Sequence, residues 1–158
     1  MSAQGTELRL DGEQHTFIGF NDYGLANDDV IFACGPSANH GENPDEYLND
    51  LFSTLSSNGV NAMRFWAFQS YTNGGTDFSS IDRVIQYANQ YNVKLIPTLE
   101  NHWKDCTQGD IAGEEKSSAW YATGYTQPYG NYALSYRQYV QAIVTRYQNE
   151  PTILMWQL

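Results

Sequence analysis

Four short stretches hold the side chains best able to bind or turn over a ligand: Asn21-Asp22-Tyr23, Arg64-Phe65-Trp66, Glu100-Asn101-His102-Trp103 and Trp156-Gln157-Leu158. Together they offer one guanidinium, two carboxylates, several amides and flat aromatic rings. Such a set can hydrogen-bond hydroxyls and stack against a ring. Asp22, Glu100 and His102 could serve acid–base chemistry, or could be solvated rim residues. Other chemistries are missing their parts. There is no G-x-G-x-x-G or Walker loop, so no nucleotide cofactor is expected, and no cofactor of another kind is implied. His15, His40 and His102 are scattered, without metal-ligand spacing, and no metal site is expected. A G-x-S-x-G nucleophile elbow is absent as well.

The elements that must position these clusters alternate regularly. Residues 17–23, 60–68, 93–99 and 152–158 read as strands, each apolar and short. Between them lie three amphipathic helical runs. The first opens on Asn43 as N-cap, Pro44 at the first helical position and Glu46 at the capping-box position. Leu48, Leu51, Phe52 and Leu55 form its stripe, and Gly59 stops it. The second stripe is Ile81, Val84, Ile85 and Ala88; the third is Tyr136, Val140, Ile143, Val144 and Tyr147. Strands joined by single helices imply right-handed βαβ units and a parallel sheet. Two architectures accommodate the order: a small doubly wound sheet, or the first half of a TIM (β/α)8 barrel. Loops after strands (24–43 and 102–130) are long and those after helices short, which suits a barrel working at its strand C-termini. All four chemical clusters fall at those ends.

The chain has 158 residues, enough for one domain, and none of it reads as a linker or a second domain. Aromatic residues make up 15% and charged residues 16%, which excludes a disordered chain. The net charge of −10 disfavours nucleic acid and anionic membrane surfaces as partners. No stretch reaches the roughly 20 apolar residues of a membrane span. No signal peptide is visible at the N-terminus, so either the protein is cytosolic or a signal has been removed. Cys34 and Cys106 lack C-x-x-C spacing and read as one disulfide or two free thiols.

Four motifs carry a resemblance. Met63-Arg64-Phe65-Trp66-Ala67-Phe68, Leu99-Glu100-Asn101-His102-Trp103-Lys104-Asp105, the run from Tyr136 to Tyr147, and Pro151-Thr-Ile-Leu-Met-Trp-Gln-Leu158 resemble glycoside hydrolase family 5, its endo-β-1,4-mannanases above all. Phe17-x-Gly19-x-Asn21-x-Tyr23 fits the same pattern. The resemblance runs from about Phe17 to Leu158. It implies the N-terminal half of the catalytic barrel, with about four parallel strands and three helices, and a polysaccharide substrate. It also implies an extracellular enzyme that hydrolyses β-linked hexose polymers with retention.

Residue by residue, Arg64 matches the arginine that supports the nucleophile in that family. Asn101 and Trp103 match its N-x-W-x-D, with the indole on a sugar ring. Trp66 shares a strand face with Arg64 by parity, and His102 sits beside them as a substrate contact. Trp156 reads mainly as core. The family's two catalytic glutamates fall beyond Leu158, so no catalytic residue is assigned and the 158 residues alone should be inactive. Glu150, in Asn149-Glu150-Pro151, precedes the fourth strand instead of following it, and reads as a turn residue at the barrel's stability face. Gly24 stands where the mannanases usually carry Trp, and Cys106-Thr107 where they often carry Tyr-Gly, so the β-glycan need not be mannan. Cys34 and Cys106 fall in loops on one face, where a disulfide is feasible in a secreted chain. A different class of function stays open: a stand-alone half-barrel that binds carbohydrate or assembles, closing its open edges as a homodimer.

Overall fold

The computed structural model describes residues 1–26, 43–100 and 116–158. It opens with a small antiparallel sheet, β1 (Ser2–Gln4), β2 (Glu7–Leu10) and β3 (Glu13–Gln14), which lies before the first expected strand. Its clue was Asp11-Gly12, which joins Leu10 to Glu13 as a two-residue hairpin with both residues at positive φ, 53° and 87°.

The main frame is the parallel sheet β4 (Gly19–Asp22), β5 (Ala62–Trp66) and β6 (Lys94–Thr98), in that spatial order. The strands are a residue or more shorter at each end than their apolar runs. Helix α1 (Pro44–Ser57) links β4 to β5, and α2 (Ser79–Gln90) links β5 to β6. The expected long loop after β6 holds a short helix, α3 (Ser118–Ala122), and a 3₁₀ turn at Gly124–Thr126, before α4 (Tyr136–Arg146). The topology is that of a partial α/β barrel, one of the two architectures the alternation accommodates.

The helices begin as their caps dictate. Asn43 Oδ1 accepts from the amides of Asp45 and Glu46 at 3.1 and 3.3 Å. Gly59, at φ 75°, follows the last turn of α1. A complete capping box forms at α4 instead, between Ser135 and Gln138. Leu48, Phe52 and Leu55 of α1, with Ile81, Val84, Ile85 and Ala88 of α2, are buried in one core with Met63, Phe65 and Leu95 of the sheet. Each large side chain so buried contributes roughly 1.5–3 kcal/mol. The α4 stripe is centred differently from its sequence pattern. Tyr139 is fully buried and its hydroxyl donates to Ala67 O just past β5, whereas Tyr136, Val140 and Val144 are half-buried.

The fourth strand is the principal correction. The backbone of residues 152–158 pairs with β6 only through two isolated parallel bridges, Leu95 to Ile153 and Thr98 to Gln157. The ladder starts regularly, with Leu95 N donating to Thr152 O and Leu154 N to Leu95 O, both at 2.8 Å. The next rung needs an N–H from Pro97, which has none. Pairing resumes one residue later, with Gln157 N donating to Pro97 O at 3.0 Å and Leu99 N to Gln157 O at 2.8 Å. The step of three from Leu95 to Thr98 on β6 is thus matched by a step of four from Ile153 to Gln157 on the last segment: a one-residue bulge.

Candidate functional site

Strand register decides which side chains share a face. Asn21 lies opposite Arg64, which lies opposite Ile96, and Trp66 lies opposite Thr98. Strict alternation from Ile153 would place Gln157 on the other face, with Leu95 and Ile153. The bulge reverses that parity and puts Gln157 level with Thr98.

A hydrogen-bonded layer results. Arg64 Nε donates to Gln157 Oε1 at 2.7 Å, and Arg64 Nη1 to Asn21 Oδ1 at 2.7 Å. Thr98 Oγ1 donates to the same Gln157 oxygen at 3.0 Å. Among the described residues no carboxylate comes within ion-pair distance of Arg64, and its Nη2 has no partner. A guanidinium held by neutral oxygens, with one edge to spare, is ready to receive an anion or a ring of hydroxyls. Thr98 lies outside the four stretches that the sequence marks, and Gln157, which lies in the last of them, becomes a partner of Arg64 only because of the bulge.

Trp66 stands on the face of Arg64 and is only 7% exposed. Its ring stacks with Phe68 at 4.6 Å and meets Tyr23 at 5.2 Å, with Tyr71 next to Phe68. The structure therefore joins Arg64 and Trp66 at one end of the sheet. Asn101, His102 and Trp103, with Cys34 and Cys106, lie outside the described residues.

The two described carboxylates at strand ends have structural partners. Asp22 accepts from Gly24 N at 3.0 Å and from the Tyr47 hydroxyl at 3.1 Å. Burial, then the charge of Asp22, pushes the Tyr47 hydroxyl far above its ordinary range. Glu100 pairs with Lys116 Nζ at 2.7 Å, both side chains largely shielded, at 14% and 15% exposure. Lys116 Nζ also lies 5.0 Å from the Trp120 ring centroid and 5.6 Å from that of Tyr129. Burial, reinforced by the charge of Glu100, pushes the Tyr132 hydroxyl up to about 12.

Glu150 lies at the other end of the sheet, as its position before the fourth segment implies. It accepts from Thr152 N at 3.0 Å and Asn89 Nδ2 at 3.1 Å, while Lys94, the first residue of β6, donates to neighbouring Pro151 O. Burial raises its carboxyl, but those hydrogen bonds outweigh it and the net shift is downward.

Comparison with known proteins places this geometry. No protein-family model matches the chain. A mannan endo-1,4-beta-mannosidase A of Hypocrea jecorina is 29% identical over 100% of this chain, and one of Podospora anserina 30% over 98%. The chain spans only 37% and 42% of those relatives. The crystal structure of an endo-1,4-beta-mannanase from Rhizomucor miehei superposes with a TM-score of 0.65 at 22% identity, covering 99% of this chain and 46% of that one. Along nearly its whole length the chain is thus similar to part of the mannan endo-1,4-beta-mannosidases and shares its fold with part of an endo-1,4-beta-mannanase, a match that the N-terminal half of a family 5 glycoside hydrolase barrel fits.

Proposed function

We propose that this segment is part of a secreted, retaining glycoside hydrolase that cuts β-linked hexose polysaccharide, β-mannan or a related β-glycan. The observation that carries the reading is Arg64. It is fixed at the working end of a parallel sheet by two amides, with Nη2 unpartnered among the described residues, in a chain similar throughout to endo-mannosidases. Retention needs two carboxyls about 5–5.5 Å apart. On this reading both follow Leu158. Arg64 supplies the positive charge that keeps the nucleophile ionised, and Asn101, His102 and Trp103 contact the sugar. Trp66 backs that site as part of an aromatic stack. Among the described residues no helix is long and apolar enough to cross a membrane.

Purified as these 158 residues, the protein is expected to hydrolyse none of mannan, glucomannan and cellulose, whereas the natural full-length chain hydrolyses β-mannan. A full-length chain without turnover on any β-glycan overturns the reading. Turnover by the 158 residues, abolished by Glu100→Gln, moves the chemistry into the half-barrel itself.

A second reading draws on exposed apolar surface. Phe20 is in register with buried Met63 yet is 58% exposed, and Ile18 and Leu158 are 64% and 76% exposed. Among the described residues β4 pairs only with β5. A stand-alone carbohydrate-binding or assembly module would close these edges as a homodimer. Sedimentation of the 158 residues at micromolar concentration tests this: a dimer supports it, and a sharply unfolding monomer overturns it.

A further inference from the structure

We propose that Gln157 is a positioning residue for Arg64, brought into the site by the bulge opposite Pro97. An amide oxygen has two acceptor sites, and Gln157 Oε1 uses them on Arg64 Nε at 2.7 Å and Thr98 Oγ1 at 3.0 Å. Thr98 is 1% exposed, so it anchors the amide from the buried side. The Gln157 backbone is itself pinned by its amide to Pro97 O at 3.0 Å and its carbonyl from Leu99 N at 2.8 Å. Asn21 holds Nη1 from the other flank at 2.7 Å. A guanidinium is planar, so two fixed contacts on Nε and Nη1 set the direction of the Nη2 edge. Gln157 thus aims that edge without touching substrate.

Arg64 and Thr98 both donate in this bridge, so it is the Gln157 oxygen that joins them. A regular fourth strand would turn residue 157 to the opposite face and leave Arg64 Nε without this acceptor. The missing N–H of Pro97 is therefore part of how the arginine is oriented.

The test uses the natural full-length chain in two arms, the catalytic arm resting on the hydrolase reading above. In the first, the Arg64 Nε–H signal of ¹⁵N-labelled protein is assigned by its loss in Arg64→Lys. It is expected to be shifted and slowly exchanging in the wild type, and to move and exchange at least about tenfold faster in Gln157→Met. In the second, Gln157→Met is expected to lower kcat on β-mannan about tenfold with KM nearly constant. Gln157→Glu, which keeps an acceptor oxygen, restores most of that loss. Should Gln157→Met not fold, Thr98→Val and Gln157→Glu carry both arms, with Thr98→Val expected to show the smaller loss of protection. An Arg64 signal indifferent to residue 157 and residue 98 overturns the proposal. A wild type inactive on β-glycans sinks the hydrolase reading alone, since the spectroscopic arm stands without turnover. A Gln157→Glu variant as impaired as Gln157→Met in both arms also overturns it, because the shared acceptor would then be irrelevant.

Discussion

Arg64 and Lys116 are both cations near the ends of the parallel strands, and the fold treats them in opposite ways. Lys116 is neutralised by Glu100 at 2.7 Å and sits against the faces of Trp120 and Tyr129. Arg64 has two amides and, among the described residues, no carboxylate. A shielded charge with a full counter-charge and an aromatic wall is committed to the structure, because separating it strands its partner away from water. A charge steadied by neutral oxygens keeps most of its field for something else. The contrast separates a charge committed to a partner from one left available, although both are basic and both stand near the same strand ends.

Three experiments can break or sharpen that contrast. The largest effect is expected at Lys116. Lys116→Met leaves Glu100 shielded and without its cation, and should cost about 2–3 kcal/mol in denaturant-unfolding stability. Adding Glu100→Gln should recover at least half, and a loss below about 0.5 kcal/mol would make the pair an ordinary surface contact.

Arg64→Ala should show the reverse pattern. In the natural full-length chain we expect kcat/KM on β-mannan to fall at least about tenfold, or about 1.4 kcal/mol of transition-state stabilisation, with the unfolding midpoint almost unchanged. If stability collapses while the folded fraction keeps full activity, Arg64 is committed to the structure too and the contrast disappears.

The smallest effect belongs to Glu150, at the opposite end of the sheet. Its carboxyl is held below the usual 4.5 in the folded chain, the accepted hydrogen bonds outweighing burial. The folded state therefore binds the proton less readily than the unfolded one. The resulting stability is fully present above about pH 4.5 and fades as pH falls through the folded value. Glu150→Gln should flatten the acid limb of stability between about pH 5 and 3 by a few tenths of a kcal/mol, solvent screening keeping it small. Hydrolysis by the full-length chain should be indifferent to it. An activity loss of tenfold or more would promote Asn149-Glu150-Pro151 from a turn to a functional element.

Local rules made much of this legible. Asn43 and Pro44 start α1, and Ile81, Val84, Ile85 and Ala88 bury one face of α2. Arg64 could be marked from sequence as a charge in an otherwise apolar strand, which needs partners. Glu150 could be dismissed because order along the chain places it before the fourth segment. The N-terminal hairpin has its own signal in Asp11-Gly12, but its flanking strands are four and two residues long, too short to show an apolar alternation.

By itself the sequence determined the alternation of strands and helices, the parallel sheet, the end of that sheet where the polar and aromatic clusters gather, and the arginine there. These depend on periodicity, caps and chain order, which are properties of neighbours along the chain. The partners of that arginine were decided only by tertiary structure. Gln157 meets Arg64 across 93 positions because Pro97, on a third segment, cannot donate one hydrogen bond and so forces the bulge that turns residue 157 inward. Tyr139 was likewise buried beneath α4 by its hydroxyl reaching Ala67 O, 72 positions away. Such contacts depend on how distant strands register, and a period of two along a single strand holds no record of a shift imposed by its neighbour.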